Sequence, residues 1–304
     1  MSRPRRPAAR ALARLAARAV TAGFLVWTAA PLAAQDLIFS DDFESGYTSA
    51  WANVVGAPPV TAYRVDDLDL RDPHVATAVP VFGCFDFTDN DFPADLAPSF
   101  NGGIEAAVTT DEDGDGLLDA SLLLLFRPLD EAAVSERVSL AEGACTAPLA
   151  STECVPADPP TNLRYTAADQ GLCVMTEPGT TGGYSPSIDE PSAPCFGTAA
   201  GDVTLDLAGV AVTLRDARVG AGFVGTEPPT SLTLGLLAGF LPETEANAIL
   251  LPAELPLIGG QPLSSLLPGG SGNCSSSDDR DLYKGELGWW FYLNFTAQPA
   301  PWTE

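Results

Sequence analysis

Positive charge is scarce in this 304-residue chain: 15 Lys and Arg stand against 40 Asp and Glu, a formal net charge of −25. Six of the arginines (Arg3, Arg5, Arg6, Arg10, Arg14 and Arg18) crowd into the first 18 residues, which hold no acid. Beyond them nine basic residues face 40 acidic ones, a net charge of −31. Such a surface repels phosphate backbones, which excludes nucleic acid as a partner and disfavours anionic membranes. Histidine is nearly missing. His74 is the single one, which excludes multi-histidine metal sites and leaves any histidine-based triad resting on one residue. It sits in Arg71-Asp72-Pro73-His74 and reads as a loop histidine bonded locally. No G-x-S-x-G elbow occurs, since Gly269 to Asn273 fails at its last position.

The arginine-rich start has a function of its own. Met1 to Arg18 form a basic region, Ala19 to Ala30 a short apolar run, and Pro31-Leu32-Ala33-Ala34 a small-residue exit. This is the three-part layout of a secretory signal peptide, with cleavage expected after Ala34 and residues 35–304 as the mature domain. The apolar run falls short of the roughly 20 residues that a membrane span requires, and no second long run follows, so no membrane span is expected. Secretion, or residence in the periplasm or outer envelope, is the expected destination.

Six cysteines follow the signal: Cys84, Cys145, Cys154, Cys173, Cys195 and Cys274. An even count in an exported chain reads as disulfides, and without a C-x-x-C pair or a second histidine zinc is not the reason for them. Six cysteines permit fifteen pairings. Proximity favours Cys145 with Cys154 and Cys173 with Cys195, which leaves Cys84 for Cys274.

The body alternates like strands. Val203, Leu205 and Leu207, a turn at Ala208-Gly209, then Val210, Val212 and Leu214 read as a hairpin, with a third strand through Val219 and Phe223. Ile104 to Thr109 and Leu122 to Phe126 read as another strand pair, and Trp289 to Phe295 as an aromatic strand. Ser231 to Leu251 reads as a helical insert, because Leu232, Leu236, Leu237 and Phe240 recur at helical spacing, with a break at Pro242. The expected fold is mainly β: an antiparallel, jelly-roll-like β-sandwich in one disulfide-stapled domain with a short helical insert.

One stretch carries chemistry. Asp111-Glu112-Asp113-Gly114-Asp115-Gly116-Leu117-Leu118-Asp119 follows D-x-D-x-D-G-x-x-D. Acids at positions 1, 3 and 5 of a tight loop turn their oxygens inward, glycine at 6 permits the turn, the Leu117 carbonyl supplies position 7, and Asp119 supplies position 9. Four carboxylates this close repel one another, and Ca2+ would relieve that repulsion. The expected metal ligands are therefore Asp111, Asp113, Asp115, Leu117 and Asp119. Position 12 is Leu122, where an EF-hand has glutamate, and the flanks read as strands. The loop thus resembles those of thrombospondin type 3 repeats, dockerins and integrin-like repeats, a likeness confined to nine residues. A second acidic run, Asp86, Asp89 and Asp91, is a candidate for the missing ligand or for the site of a second ion.

Phe39-Ser40-Asp41-Asp42-Phe43-Glu44-Ser45-Gly46 resembles an F-x-x-D-F-E-S-G segment of uncharacterised secreted bacterial proteins, and the run through Gly288-Trp289-Trp290-Phe291 resembles similar exported chains. These likenesses imply a bacterial, exported origin and no particular activity. The expected function is a calcium-binding protein of the envelope or extracellular space, non-enzymatic, with a structural, adhesive or binding role toward a glycan or surface protein. The alternative is a secreted carbohydrate-active enzyme or sugar-binding module, for which Trp290 and Tyr292, on one side of the last strand, would be the stacking surface.

Overall fold

Alternating apolar residues need a second apolar layer to cover them, and here the sheet supplies it by curling onto itself. The computed structural model describes residues 59–93, 97–207, 210–226, 228–253, 255 and 257–303. The signal segment and the F-x-x-D-F-E-S-G run lie outside these. The strands are β1 (Thr61–Asp72), β2 (Ala76–Val79), β3 (Gly83–Asp86), β4 (Leu122–Arg127), β5 (Glu136–Cys145), β6 (Cys154–Pro156), β7 (Thr161–Ala168), β8 (Cys195–Thr198), β9 (Gly201–Leu207), β10 (Val210–Val224), β11 (Ser231–Pro242), β12 (Asp281–Tyr283) and β13 (Glu286–Pro299). The two α-helices among the described residues are α1 (Phe100–Thr109) and α2 (Glu243–Ala248).

The main sheet runs β1-β4-β5-β7-β8-β10-β11-β13-β12, with β6 on β5 and β9 on β10. β1 also pairs antiparallel with β13, from Tyr63 opposite Pro299 to Asp72 opposite Tyr292. The mainly-β, antiparallel expectation therefore holds, and the two layers are joined by this seam into a closed sheet, which leaves fewer open edges. The interior packs Tyr63, Phe126, Tyr165 and Phe196, all fully buried. The rings of Tyr63, Tyr165 and Phe196 each meet Phe126 edge-on, at 5.9, 5.1 and 5.0 Å. Edge-to-face geometry suits the ring quadrupoles. β2 and β3 form a separate hairpin.

All three expected disulfides form: Cys145–Cys154 and Cys173–Cys195, as proximity favoured, and the remaining pair Cys84–Cys274. Such bonds point to an extracellular or periplasmic setting. No helix among the described residues is long and apolar enough to cross a membrane.

Three expectations are corrected. Ser231–Pro242 is a strand, and the only helix in 231–251 is α2, which starts after Pro242. β11 lies between β10 and β13 with both faces covered: Leu232, Leu237 and Leu241 point into the barrel, while Leu236, Ala238 and Phe240 join a second cluster outside it. A strand buried on both faces loses its period-2 alternation and mimics a helical run. The register also shifts between Leu232 and Gly235, where Leu234 takes φ +48°, which further scrambles the pattern. At Gly235 a Cβ would lie 2.5 Å from the Phe295 ring, so only glycine fits there.

Ile104 to Thr109 is helix, as part of α1. Ile104 and Val108, four apart, are both buried, and the Ser99 hydroxyl caps the start by accepting from Gly102 N at 3.1 Å. Two adjacent glycines, Gly102 and Gly103, conceal this helix from propensity. Finally, Val219 and Phe223 belong to the same strand as Val210. β10 is continuous, with its register shifted between Leu214 and Ala217 and Asp216 at φ +50°. Its first half pairs with β9 and its second with β8 and β11.

Candidate functional site

The acidic loop joins the end of α1 to β4, so it is helix–loop–strand, not strand–loop–strand. Its backbone winds around Asp111. Asp111 Oδ1 accepts from Gly114 N at 2.7 Å and Asp115 N at 3.1 Å, and Oδ2 from Gly116 N at 2.9 Å. Asp113 Oδ1 accepts from Asp115 N at 3.1 Å and Asp115 Oδ1 from Leu117 N at 2.8 Å. Gly114 and Gly116 take φ of +73° and +93°, a region that favours glycine and permits the tight winding. One carboxylate oxygen each of Asp111, Asp113 and Asp115 then lies within 4.8 Å of the others.

The remaining sequence-predicted ligands are placed differently. Asp119 Oδ2 accepts from Glu112 N at 3.2 Å and stands outside that trio. Leu117 forms an isolated bridge with Thr146. Leu122, at position 12, is a β4 residue opposite Glu142. The loop is tied down from below: Leu118 N donates to Cys145 O and Ala147 N to Gly116 O, both at 2.9 Å. Leu118 is buried with Leu123, Leu125 and the Cys145–Cys154 pair in a small cluster.

The second acidic run is engaged at the other end of α1. Asp91 Oδ1 accepts from Ser99 N at 2.9 Å, and Asp89 Oδ1 from Asn101 Nδ2 at 2.7 Å. A ten-residue helix is about 15 Å long, so these acids do not reach the loop.

Sequence reasoning missed a second cluster, around His74. His74 Nδ1 pairs with Asp86 Oδ2 at 2.6 Å, and its ring stacks on Tyr184 with centroids 3.8 Å apart. Burial alone would raise the Asp86 carboxyl, but hydrogen bonds from His74 and Thr88 outweigh it and hold the group below its ordinary value. Tyr184 donates to Asp279 Oδ2 at 3.3 Å, and Asp279 is hydrogen-bonded to Asp72. Asp72 is 2% exposed and also accepts from Gly182 N. Burial first, and Asp279 second, push its carboxyl up to about 8. Burial raises Asp279 as well. The two acids thus share a proton at neutral pH. The only signal in sequence was His74 beside Asp72; Tyr184 and Asp279 come from distant segments.

Trp290 and Tyr292 are buried, not presented to solvent. The segment 171–192 covers them. Val174 and Ile188 pack on the same outer cluster, and Tyr292 Oη accepts from Glu177 N at 3.0 Å and bonds Thr180. Burial pushes the Tyr292 phenol up to about 12. The pair offers no stacking face for a sugar. No protein-family model, no curated protein and no solved structure matches the chain.

Proposed function

We propose that this chain is an exported bacterial protein that binds calcium at Asp111–Asp119 and serves a structural or binding role, without catalysis, in the envelope or extracellular space. The observation that carries this is the convergence of one oxygen each from Asp111, Asp113 and Asp115 within 4.8 Å on an exposed loop. Three carboxylates held that close repel one another strongly, and a hard dication with flexible oxygen coordination relieves the repulsion better than solvent does. Magnesium suits the loop less well, because it prefers fewer protein ligands and strict octahedral geometry. Support for export comes from the three disulfides, which persist in oxidising compartments, together with the signal-like residues 1–34.

Extracellular modules bind calcium at about 10⁻⁴ to 10⁻³ M, and the apolar Leu122 at position 12 argues for the weak end. The test is calorimetric titration of calcium into chelator-stripped protein, paired with melting curves in EDTA and in about 5 mM calcium, roughly ten times a weak module's Kd. Binding with a raised melting temperature is expected. Identical melts and no binding heat would refute the calcium site.

A further inference from the structure

β1 ends on an aspartate that has left the expected side of its strand. Leu68 and Leu70 point into the barrel, and Asp72 is two residues beyond Leu70, so alternation would send it the same way. A register shift between Leu70 and Asp72 instead sets Asp72 opposite Tyr292, a residue of the outer cluster, and turns its carboxyl outward under the segment 171–192. There the residue is 2% exposed, Gly182 N donates to its Oδ2, and Asp279 is hydrogen-bonded to it. The other titratable groups facing it are Asp281, Tyr184 and Tyr292, with His74 stacked on Tyr184 and paired to Asp86. The guanidiniums next in sequence to the pair are taken by other acids, Arg71 by Asp69, and Arg280 by Asp278 and Glu243.

The following residue is Pro73. Its nitrogen belongs to a tertiary amide and accepts a proton more readily than an ordinary peptide nitrogen. An aspartic acid before proline is therefore well placed to break its own peptide bond, because its carboxyl reaches its own backbone carbonyl through a five-membered ring. At its ordinary 3.8 the Asp72 carboxyl would hold a proton at pH 7 in about one molecule in a thousand; at about 8 it holds one in about nine of ten. The acid form that this chemistry requires is thus resident at neutral pH.

We propose that the chain cuts itself between Asp72 and Pro73. A carboxyl oxygen of Asp72 attacks the carbon of the Asp72 backbone carbonyl, the carboxyl proton passes to Pro73 N, and the C–N bond breaks. One half then ends in a cyclic anhydride at Asp72, and the other starts with the secondary amine of Pro73. Water entering through the cavity of about 230 Å³ lined by Arg71, Asp72, Gly183 and Tyr184 opens the anhydride to two carboxyls. The cut is a single event in the chain's own backbone, not turnover of a substrate, and it needs no calcium. Residues 1–72 hold no cysteine, so no disulfide joins the halves. In the folded protein the pairing of β1 with β4 and β13 keeps them together.

The test follows the full chain in EDTA at pH 7 by intact mass under denaturing, non-reducing conditions, with sequencing of any new N-terminus. A fragment starting at Pro73 is expected, and the two masses should sum to the chain plus one water. The exposed Asp158–Pro159 bond is an internal control. Asp72–Pro73 should break about a hundredfold faster than this bond, a part of the roughly thousandfold gain in the acid form, and should stay whole in wild type unfolded in urea. The rate should fall as pH rises through about 8. Asp72→Ala removes the nucleophile and should abolish the cut. Asp279→Asn takes away the shared proton; it should slow the cut about tenfold at pH 7 and move the fall in rate to lower pH. The absence of an end at Pro73 in wild type would overturn the proposal outright. Equal rates at the two Asp–Pro bonds, or the same cut in unfolded wild type, would overturn the part played by the fold. Cutting in folded Asp72→Ala would overturn the nucleophile; should that variant not fold, an unchanged rate and pH profile in Asp279→Asn overturns the proposal instead.

Discussion

The molecule gathers carboxylates in two places and treats them in opposite ways. Around Asp111 the acids are turned outward on an exposed loop, and backbone amides hold them in position. At Asp72 and Asp279 the acids are taken inward under the segment 171–192. Repulsion between close carboxylates has two remedies: a cation, or the retention of a proton. An exposed cluster keeps its contact with solvent, and under the calcium proposal a metal ion supplies the remedy. A buried pair has lost the solvent that would stabilise its second charge, so it keeps a proton and becomes a hydrogen-bonded joint. Similar side chains are therefore a proposed ligand set in one place and a structural clasp in the other, and burial separates the two.

Each cluster sits beside its own disulfide, which gives the sharpest way to separate them. Cys84–Cys274 holds the β2–β3 hairpin, which carries Asp86, to the segment leading into Asp279, and it closes a loop of 190 residues. Cys145–Cys154 lies under the acidic loop and closes only 9. In the chain-entropy account these contribute about 5 and about 2.5 kcal/mol. Replacing Cys84 and Cys274 with alanine should therefore cost roughly twice as much stability in denaturant titrations as replacing Cys145 and Cys154. Only the second pair of changes should also weaken calcium binding.

The next effect is one of pH. The folded-state value of Asp72, about 8, lies above its ordinary 3.8, so between these values the folded protein holds a proton that the unfolded chain has released. Its contribution to stability is full below about 3.8, declines as pH rises through the interval, and is gone above about 8. Asp72→Asn removes this slope. Relative to the variant, wild type should lose stability progressively as pH rises from about 5.5 to 8, never faster than about 1.4 kcal/mol per pH unit. Parallel curves would mean that the two acids do not share a proton.

Calcium should act on the other cluster alone. At a hundredfold excess over Kd the ion stabilises by about 2.7 kcal/mol. Asp113→Asn and Asp115→Asn keep the acceptors for the loop amides while removing charge. Each should abolish most of the calcium-dependent rise in melting temperature and leave the protein unchanged or slightly more stable in EDTA. Asp169→Ala, on an exposed turn, should leave the calcium response intact. The smallest effect is expected at Asp119→Asn, because this carboxylate stands outside the converging trio and bonds Glu112 N. A loss there equal to that of Asp113→Asn would bring Asp119 into the ligand set.

What was legible in the chain follows from the range of the forces involved. The β9–β10 hairpin showed because Val203, Leu205, Val210, Val212 and Leu214 are buried while Thr204 and Asp206 are exposed. The Asp111–Asp119 loop showed because its geometry is local. β11 did not, because burial on both faces erases alternation, and α1 did not, because Ile104 and Val108 are read as helix only once Ser99 is recognised as its cap. The Asp72–Asp279 pair was invisible for another reason. It is assembled from segments that meet only through the tertiary fold, and spacing along the chain carries no trace of it.

The seam between β1 and β13 sets an order of events in time. As the chain emerges from its N-terminal end, β1 can pair at once with β4 along Thr61 to Arg64, and β4, β5 and β7 can follow as near neighbours. The other edge of β1, from Tyr63 to Asp72, has to wait for residues 292–299. Until then a long strand stands with open amides and carbonyls, the template that promiscuous strands seek, and closure is governed by one of the most distant pairings the chain makes. β13, the last of the described strands in chain order, is the one that removes that edge.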